Sequence, residues 1–174
     1  MKATGIVRRV DDLGRVVIPK EIRRSLHIKE GDPLELFTDG KNVVFQKYSH
    51  IGQLENIAKQ VCATIAKHSG AAHIVVITDT SEIVAASRTS VCTGEILSSE
   101  MRRTIDGRNE YNSDGDYIPL LASELEHEVA FAVPIISAGD NIGSIAILHD
   151  SITVGDTTKV LVRSFAYMLG TLDE

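Results

Sequence analysis

Short apolar runs broken by turn residues open the chain. Gly5–Val10 (GIVRRV) and Arg15–Ile18 (RVVI) predict two strands, joined by Asp11-Asp12-Leu13-Gly14, a turn whose glycine is free to take a positive φ. Pro19 ends the second strand and suits the first turn of a short helix over 20–26. After Gly31-Asp32-Pro33, the runs Leu34–Phe37 and Val43–Lys47 predict a hairpin around Asp39-Gly40-Lys41-Asn42. The opening stretch therefore reads as short strands and a turn or two of helix.

The pattern then changes. Between residues 50 and 69, Ile51, Leu54, Ile57, Ala58, Val61 and Ile65 recur at three- and four-residue spacing, which predicts a helix stopped by Gly70. From there the chain reads α/β. Strands are expected at Ala72–Thr78 and Glu82–Ser87, a helix over 95–105, a polar loop over 106–117, and a hairpin of Val129–Ser137 with Asn141–Asp150. Thr153-Val154-Gly155-Asp156 resembles a capping box opening a last helix to about Leu172, with Val160, Leu161, Phe165, Met168 and Leu169 facing a sheet. The domains expected are 1–48, a linking helix over 49–70, and 71–174.

Size bears on the first domain. A unit under 50 residues seldom buries enough surface to stand alone, and this one has no cysteine and no clustered metal ligands. Oligomerisation is the remaining device, so an obligate dimer is expected, with Ile6, Val16, Ile18, Leu36 and Val44 meeting their counterparts in a second copy.

Charge sharpens the division. The net charge of −6 hides ten Lys or Arg against seven Asp or Glu in residues 1–47, net +3, and eight against seventeen in the rest, net −9. Lys20, Arg23 and Arg24 sit at helical spacing on one face, and Arg8, Arg9 and Arg15 flank the predicted turn. Guanidinium groups suit phosphate oxygens and bidentate contact with guanine, and a dimer would present each twice, towards opposed half-sites of double-stranded DNA.

The stretch GIVRRVDDLGRVVIPKEIRRSL, followed by GDPLE, resembles the N-terminal domain of the AbrB-type transition-state regulators, and among them the sporulation regulators of endospore-forming bacteria. The resemblance implies a swapped-hairpin β-barrel formed by two interleaved chains, with the DNA-contacting arginines falling on Arg8, Arg15, Arg23 and Arg24; Arg9 and Lys20 are additional candidates. Beyond about residue 48 the likeness rests on element order. It implies a GAF-like domain, an antiparallel sheet flanked by helices, that either senses a small unidentified ligand or pairs dimers into tetramers through residues 50–69 and the last helix. The fold class expected is thus α+β.

Other classes lack their signatures. The six histidines show no metal-ligand spacing, and no HExxH, GxxxxGK[ST] or GxGxxG is present, so neither a catalytic set, a cofactor nor a metal is called for. Glu124, Glu126 and Glu128 alternate as on one solvent face of a strand. Cys62 and Cys92 lie far apart and form no CxxC pair. No apolar run reaches the roughly 20 residues of a membrane span, and the N-terminus lacks an apolar signal core, which predicts a cytoplasmic, nucleoid-associated protein. The function expected is a DNA-binding transcription regulator of sporulation genes, as activator, repressor or both. Its rivals are a ligand sensor whose N-terminal segment only dimerises, and an antitoxin using the same barrel.

Overall fold

The computed structural model describes residues 4–69, 73–123, 127–150 and 153–172. The chain divides into two compact units, one running to Tyr48 and the other from Ser49.

In the first unit the hairpin forms as its turn residues require. Strands β1 (Leu34–Asp39) and β2 (Asn42–Lys47) pair antiparallel, with Leu36 opposite Phe45 and Phe37 opposite Val44, and Gly40 takes a φ of 58° at the bend. Helix α1 (Lys20–Ser25) starts after Pro19. The two strands expected at Gly5–Val10 and Arg15–Ile18 are not strands in this chain. A strand needs a neighbour to complete its ladder. Among the described residues, the backbone bonds of 4–18 are those closing the turn, Asp11 N to Arg15 O (3.0 Å) and Gly14 N to Asp11 O (3.1 Å).

The second unit is built on six antiparallel strands in the order β4-β3-β8-β7-β5, with β6 also on β7. These are β3 (Val75–Thr78), β4 (Ile83–Ala86), β5 (Tyr111–Asn112), β6 (Ile118–Pro119), β7 (Glu128–Ser137) and β8 (Asp140–Leu148). The fold class is the expected α+β, a hairpin unit followed by an antiparallel sheet flanked by helices. Strand alternation divides the core. Val75, Ile77, Ile145 and Ile147 join one buried cluster, and Val76, Ala146 and Leu148 join the other.

Helices α2 (His50–Gln53), α3 (Glu55–His68) and α5 (Asp156–Gly170) supply residues to the first cluster, and α4 (Ser99–Asp106) to the second. The continuous helix expected over 50–69 is broken at Leu54, which ends α2 and begins α3. Its stripe is not a free connector. Ala58, Val61, Cys62 and Ile65 are buried in the second unit's core, while Ile57 stays exposed. The stop at Gly70 lies outside the described residues. Burial pushes the Cys62 thiol up to about 12, so it behaves as a small core residue.

Three expectations are corrected by long-range pairing. Helix α4 begins at Ser99 rather than 95, because Ile96 and Leu97 are taken by bridges to Glu82 and Leu121. Ser98 caps it, accepting from Met101 N (2.9 Å) and donating to the Pro119 carbonyl. The loop over 106–117 contains β5, held on β7. The capping box at 153–156 does not form; Gly155 occupies the cap position with no side-chain bond.

The face of α5 is also rotated from the one expected. Thr158, Val162, Ala166, Leu169 and Gly170 are buried; Leu161, Phe165 and Met168 are half-buried, and Val160 is exposed. Small residues decide this. A Cβ on Gly170 would run into the Ile136 carbonyl, so the helix end lies against β7 as closely as backbone allows. Polar clamps fix the same helix from outside. Arg163 donates to both oxygens of Glu110 at 2.7 Å, Lys159 donates to Asn112 Oδ1 at 2.7 Å, and both cations lie over the buried Phe131 ring at 5.7 and 5.4 Å.

Candidate nucleic-acid interface

The turn predicted between residues 10 and 15 is organised by one carboxylate. Gly14 takes a φ of 76°, as the turn requires. Asp11 Oδ1 accepts the backbone N–H groups of Leu13 (3.0 Å) and Arg15 (2.7 Å), and its Oδ2 accepts Arg15 Nε at 2.8 Å. The Arg15 backbone N–H, followed by its side chain, holds the Asp11 carboxyl below the usual carboxylate range. Arg15 still projects, its side chain 69% exposed. Arg8 and Arg9 precede the turn and are exposed, with Arg8 Nη1 donating to the neighbouring Val7 carbonyl at 3.2 Å.

Helix α1 carries the second set. Its end is closed by backbone alone: Ile28 N donates to Arg23 O (2.8 Å) and His27 N to Arg24 O (3.3 Å), with His27 in the left-handed region at φ 52°. That is the Schellman arrangement, with half-buried Ile22 and Ile28 as its expected apolar pair. Lys20, Arg23 and Arg24 are all exposed on this helix. Among the described residues, no carboxylate lies within ion-pair distance of Arg8, Arg9, Lys20, Arg23 or Arg24, whereas Lys47 is tied to Asp32 at 3.1 Å. Lys20, Arg23 and Arg24 therefore share one six-residue helix, and Arg8, Arg9 and Arg15 share the turn segment. Among the described residues, no hydrogen bond or ion pair joins the two sets within the chain.

The apolar residues of this unit find little cover. No described residue from 4 to 48 is fully buried. Of those the sequence points to, Ile6, Val16 and Leu36 are exposed, and Ile18 and Val44 are half-buried. Leu36 and Val44 lie on opposite faces of the hairpin, since directly opposed residues share a face and each faces a different phenylalanine. Both faces are therefore apolar: Leu36, Val43 and Phe45 on one, Phe37 and Val44 on the other. Sequence reasoning passed over Val7, at 84% exposed, with Val10, Leu13, Val17, Phe37, Val43 and Phe45. The unbroken run Val43-Val44-Phe45 was the available signal, because a strand covered on both faces loses its polar alternation.

The second unit shows a different feature. A cavity of about 370 Å³ opens beside the start of α4, lined by Ser98, Ser99, Arg102, Leu121 and Ser123 among others, and Arg102 Nη1 is shielded from solvent with no hydrogen-bond partner among the described residues. Glu124 and Glu126 lie outside the described residues; Glu128 opens β7, half-buried. Among the described residues, no three His, Cys, Asp or Glu side chains converge as metal ligands, and no helix is long and apolar enough to cross a membrane.

Comparison with known proteins follows the same division. Residues 7–50 match the family described as antidote-toxin recognition MazE, bacterial antitoxin, and residues 53–172 match stage V sporulation protein T C-terminal, transcription factor. The transition state regulatory protein AbrB of Bacillus subtilis is 58% identical over 48 residues, which is 28% of this chain and 50% of that protein. The type II free methionine-R-sulfoxide reductase of Thermoplasma acidophilum superposes with a TM-score of 0.51 over 69% of this chain and 92% of its own, at 13% identity, a likeness of fold only. Stage V sporulation protein T of Bacillus subtilis is 41% identical over 174 residues, 97% of each chain. With one relative matched over 97% of both chains and residues 53–172 matched on their own, the chain belongs to the stage V sporulation protein T family of transcription factors.

Proposed function

We propose that this transcription factor grips double-stranded DNA with residues 1–48, through Arg8, Arg15, Arg23 and Arg24, supported by Arg9 and Lys20, and so regulates sporulation genes on the nucleoid. The observation that carries the reading is the state of the first unit. Its described cations outside the Arg15–Asp11 and Lys47–Asp32 pairs stand exposed, and its described apolar residues have no core to enter. A second copy, interleaving its turn segment and hairpin with these, would cover both apolar faces and double the cationic set about a two-fold axis.

The second unit fits a control and assembly role. Val160 and Tyr167 lie exposed on α5 beside half-buried Leu161, Phe165 and Met168, an outer stripe suited to pairing dimers into tetramers. The antitoxin reading is less well supported, because the chain after residue 50 matches a transcription-factor domain.

The test is a titration of full-length protein into labelled duplex DNA at two salt concentrations, beside an Arg8/Arg15/Arg23/Arg24→Ala variant of unchanged circular dichroism. Salt-sensitive binding lost in the variant is expected. Equal binding by the folded variant would defeat the assignment. Light scattering of a Val160→Glu/Tyr167→Glu variant should show half the wild-type mass; an unchanged mass would remove α5 from the assembly.

A further inference from the structure

We propose that Asp11 is a positioning residue for DNA binding, holding Arg15 by Nε so that both of its Nη groups are presented to the nucleic acid. The inference rests on the reading that Arg15 contacts DNA. A carboxylate on a surface meant for phosphate is costly, since it repels the polyanion and neutralises a nearby cation. Asp11 is nevertheless the most engaged side chain in the turn, with one oxygen on two backbone N–H groups and the other on the guanidinium.

The division of labour between the two oxygens gives the contact its meaning. Oδ1 shapes the turn, accepting from Leu13 and Arg15 in the manner of an Asx-turn. Oδ2 adds nothing to the turn and touches only the Arg15 side chain, at 2.8 Å. An arginine has five donors in a planar fork. Here one, Nε–H, is engaged, and among the described residues no bond reaches Nη1 or Nη2, the pair that matches phosphate oxygens or the O6 and N7 of guanine. Arginine loses much rotamer freedom on docking, and a side chain already held at one end loses less. Among the described residues Arg8, Arg23 and Arg24 have no such carboxylate, which sets Arg15 apart within the cationic set.

Asp11→Asn separates the two oxygens, because the amide carbonyl still accepts the turn N–H groups while the NH₂ cannot accept Nε–H. The experiment is a double-mutant cycle of Asp11→Asn and Arg15→Ala in the full-length protein, read as affinity for labelled duplex at one salt concentration. In the wild-type background Asp11→Asn should weaken binding about threefold to tenfold, the scale of an exposed ion pair present twice in a dimer. In the Arg15→Ala background the same change should leave binding unaltered or tighter, since only the repulsive charge then remains to be lost. The Arg15 Nε–H resonance of the free protein gives an independent reading: it should exchange more slowly than that of Arg23, and lose this protection in Asp11→Asn. Equal effects in both backgrounds, tighter binding by Asp11→Asn alone, or an unprotected wild-type resonance would overturn the proposal. If Arg15→Ala binds as tightly as wild type, the underlying reading of Arg15 fails, and this inference falls with it.

Discussion

Replacing Arg23 and Arg24 together by alanine is the cleanest probe of the basic surface. Both side chains are exposed, neither has a carboxylate partner among the described residues, and the cap that ends α1 is made by backbone groups. Alanine is the best helix former, so the substitution leaves no orphaned group and a helix of at least equal propensity. In the proposed dimer it removes four cations. Each phosphate neutralised contributes about 0.9 to the slope of log affinity against log salt, so the slope should become shallower by roughly 3.6 if all four meet phosphates. Over a fourfold rise in salt, from about 50 to about 200 mM, the wild type should then lose roughly 150-fold more affinity than the variant. Fluorescence anisotropy with one duplex at both concentrations measures this directly. A smaller change in slope with a large loss at every salt would mean that the arginines read bases rather than phosphates. An unchanged slope in a variant that melts like wild type would refute the placement of α1 at the DNA.

Two further predictions concern the second unit. Gly170→Ala should destabilise it by about 1–3 kcal/mol through overpacking against the Ile136 carbonyl, outweighing the ~0.4–1 kcal/mol gained by stiffening the unfolded chain, and denaturant unfolding that shows equal or greater stability would contradict the close approach of α5 to β7. Burial, and then the nearby Asp79 charge, raise the Glu82 carboxyl, so its ionisation opposes folding. A carboxyl raised on folding adds stability below its unfolded value, about 4.3, and loses it as pH rises through the folded value. Glu82→Gln should therefore raise the melting temperature at neutral pH, with the gain fading in acid; no gain at pH 7 would show that the site tolerates the charge.

Asp11 and Arg15 show how the proposed contact can hide within a local motif. The run DDLGR is legible as a turn, because an Asp at its start and a glycine able to take positive φ act over four residues. Which oxygen meets which donor is a matter of side-chain geometry, and spacing is silent on it. The cations were readable as a set from charge asymmetry and the family signature. That Arg15 is paired while Arg23 and Arg24 have no partner among the described residues became visible only once the chain was folded.

The same boundary runs through the fold. Turn glycines, Pro19 before α1, the β1–β2 hairpin and the apolar runs of β7 and β8 were readable in order, because each depends on backbone preferences and patterning within a few neighbouring residues. Strand order in the six-stranded sheet, the start of α4 at Ser99, the break at Leu54 and the buried face of α5 were not. Each is decided by a partner distant in sequence: Leu121 draws Leu97 into a bridge, and Ile136 admits only a glycine at the end of α5. Residues 5–18 extend the point beyond one chain. Their apolar, strand-like pattern is written locally, but a ladder needs a second backbone, and among the described residues of this chain none is offered.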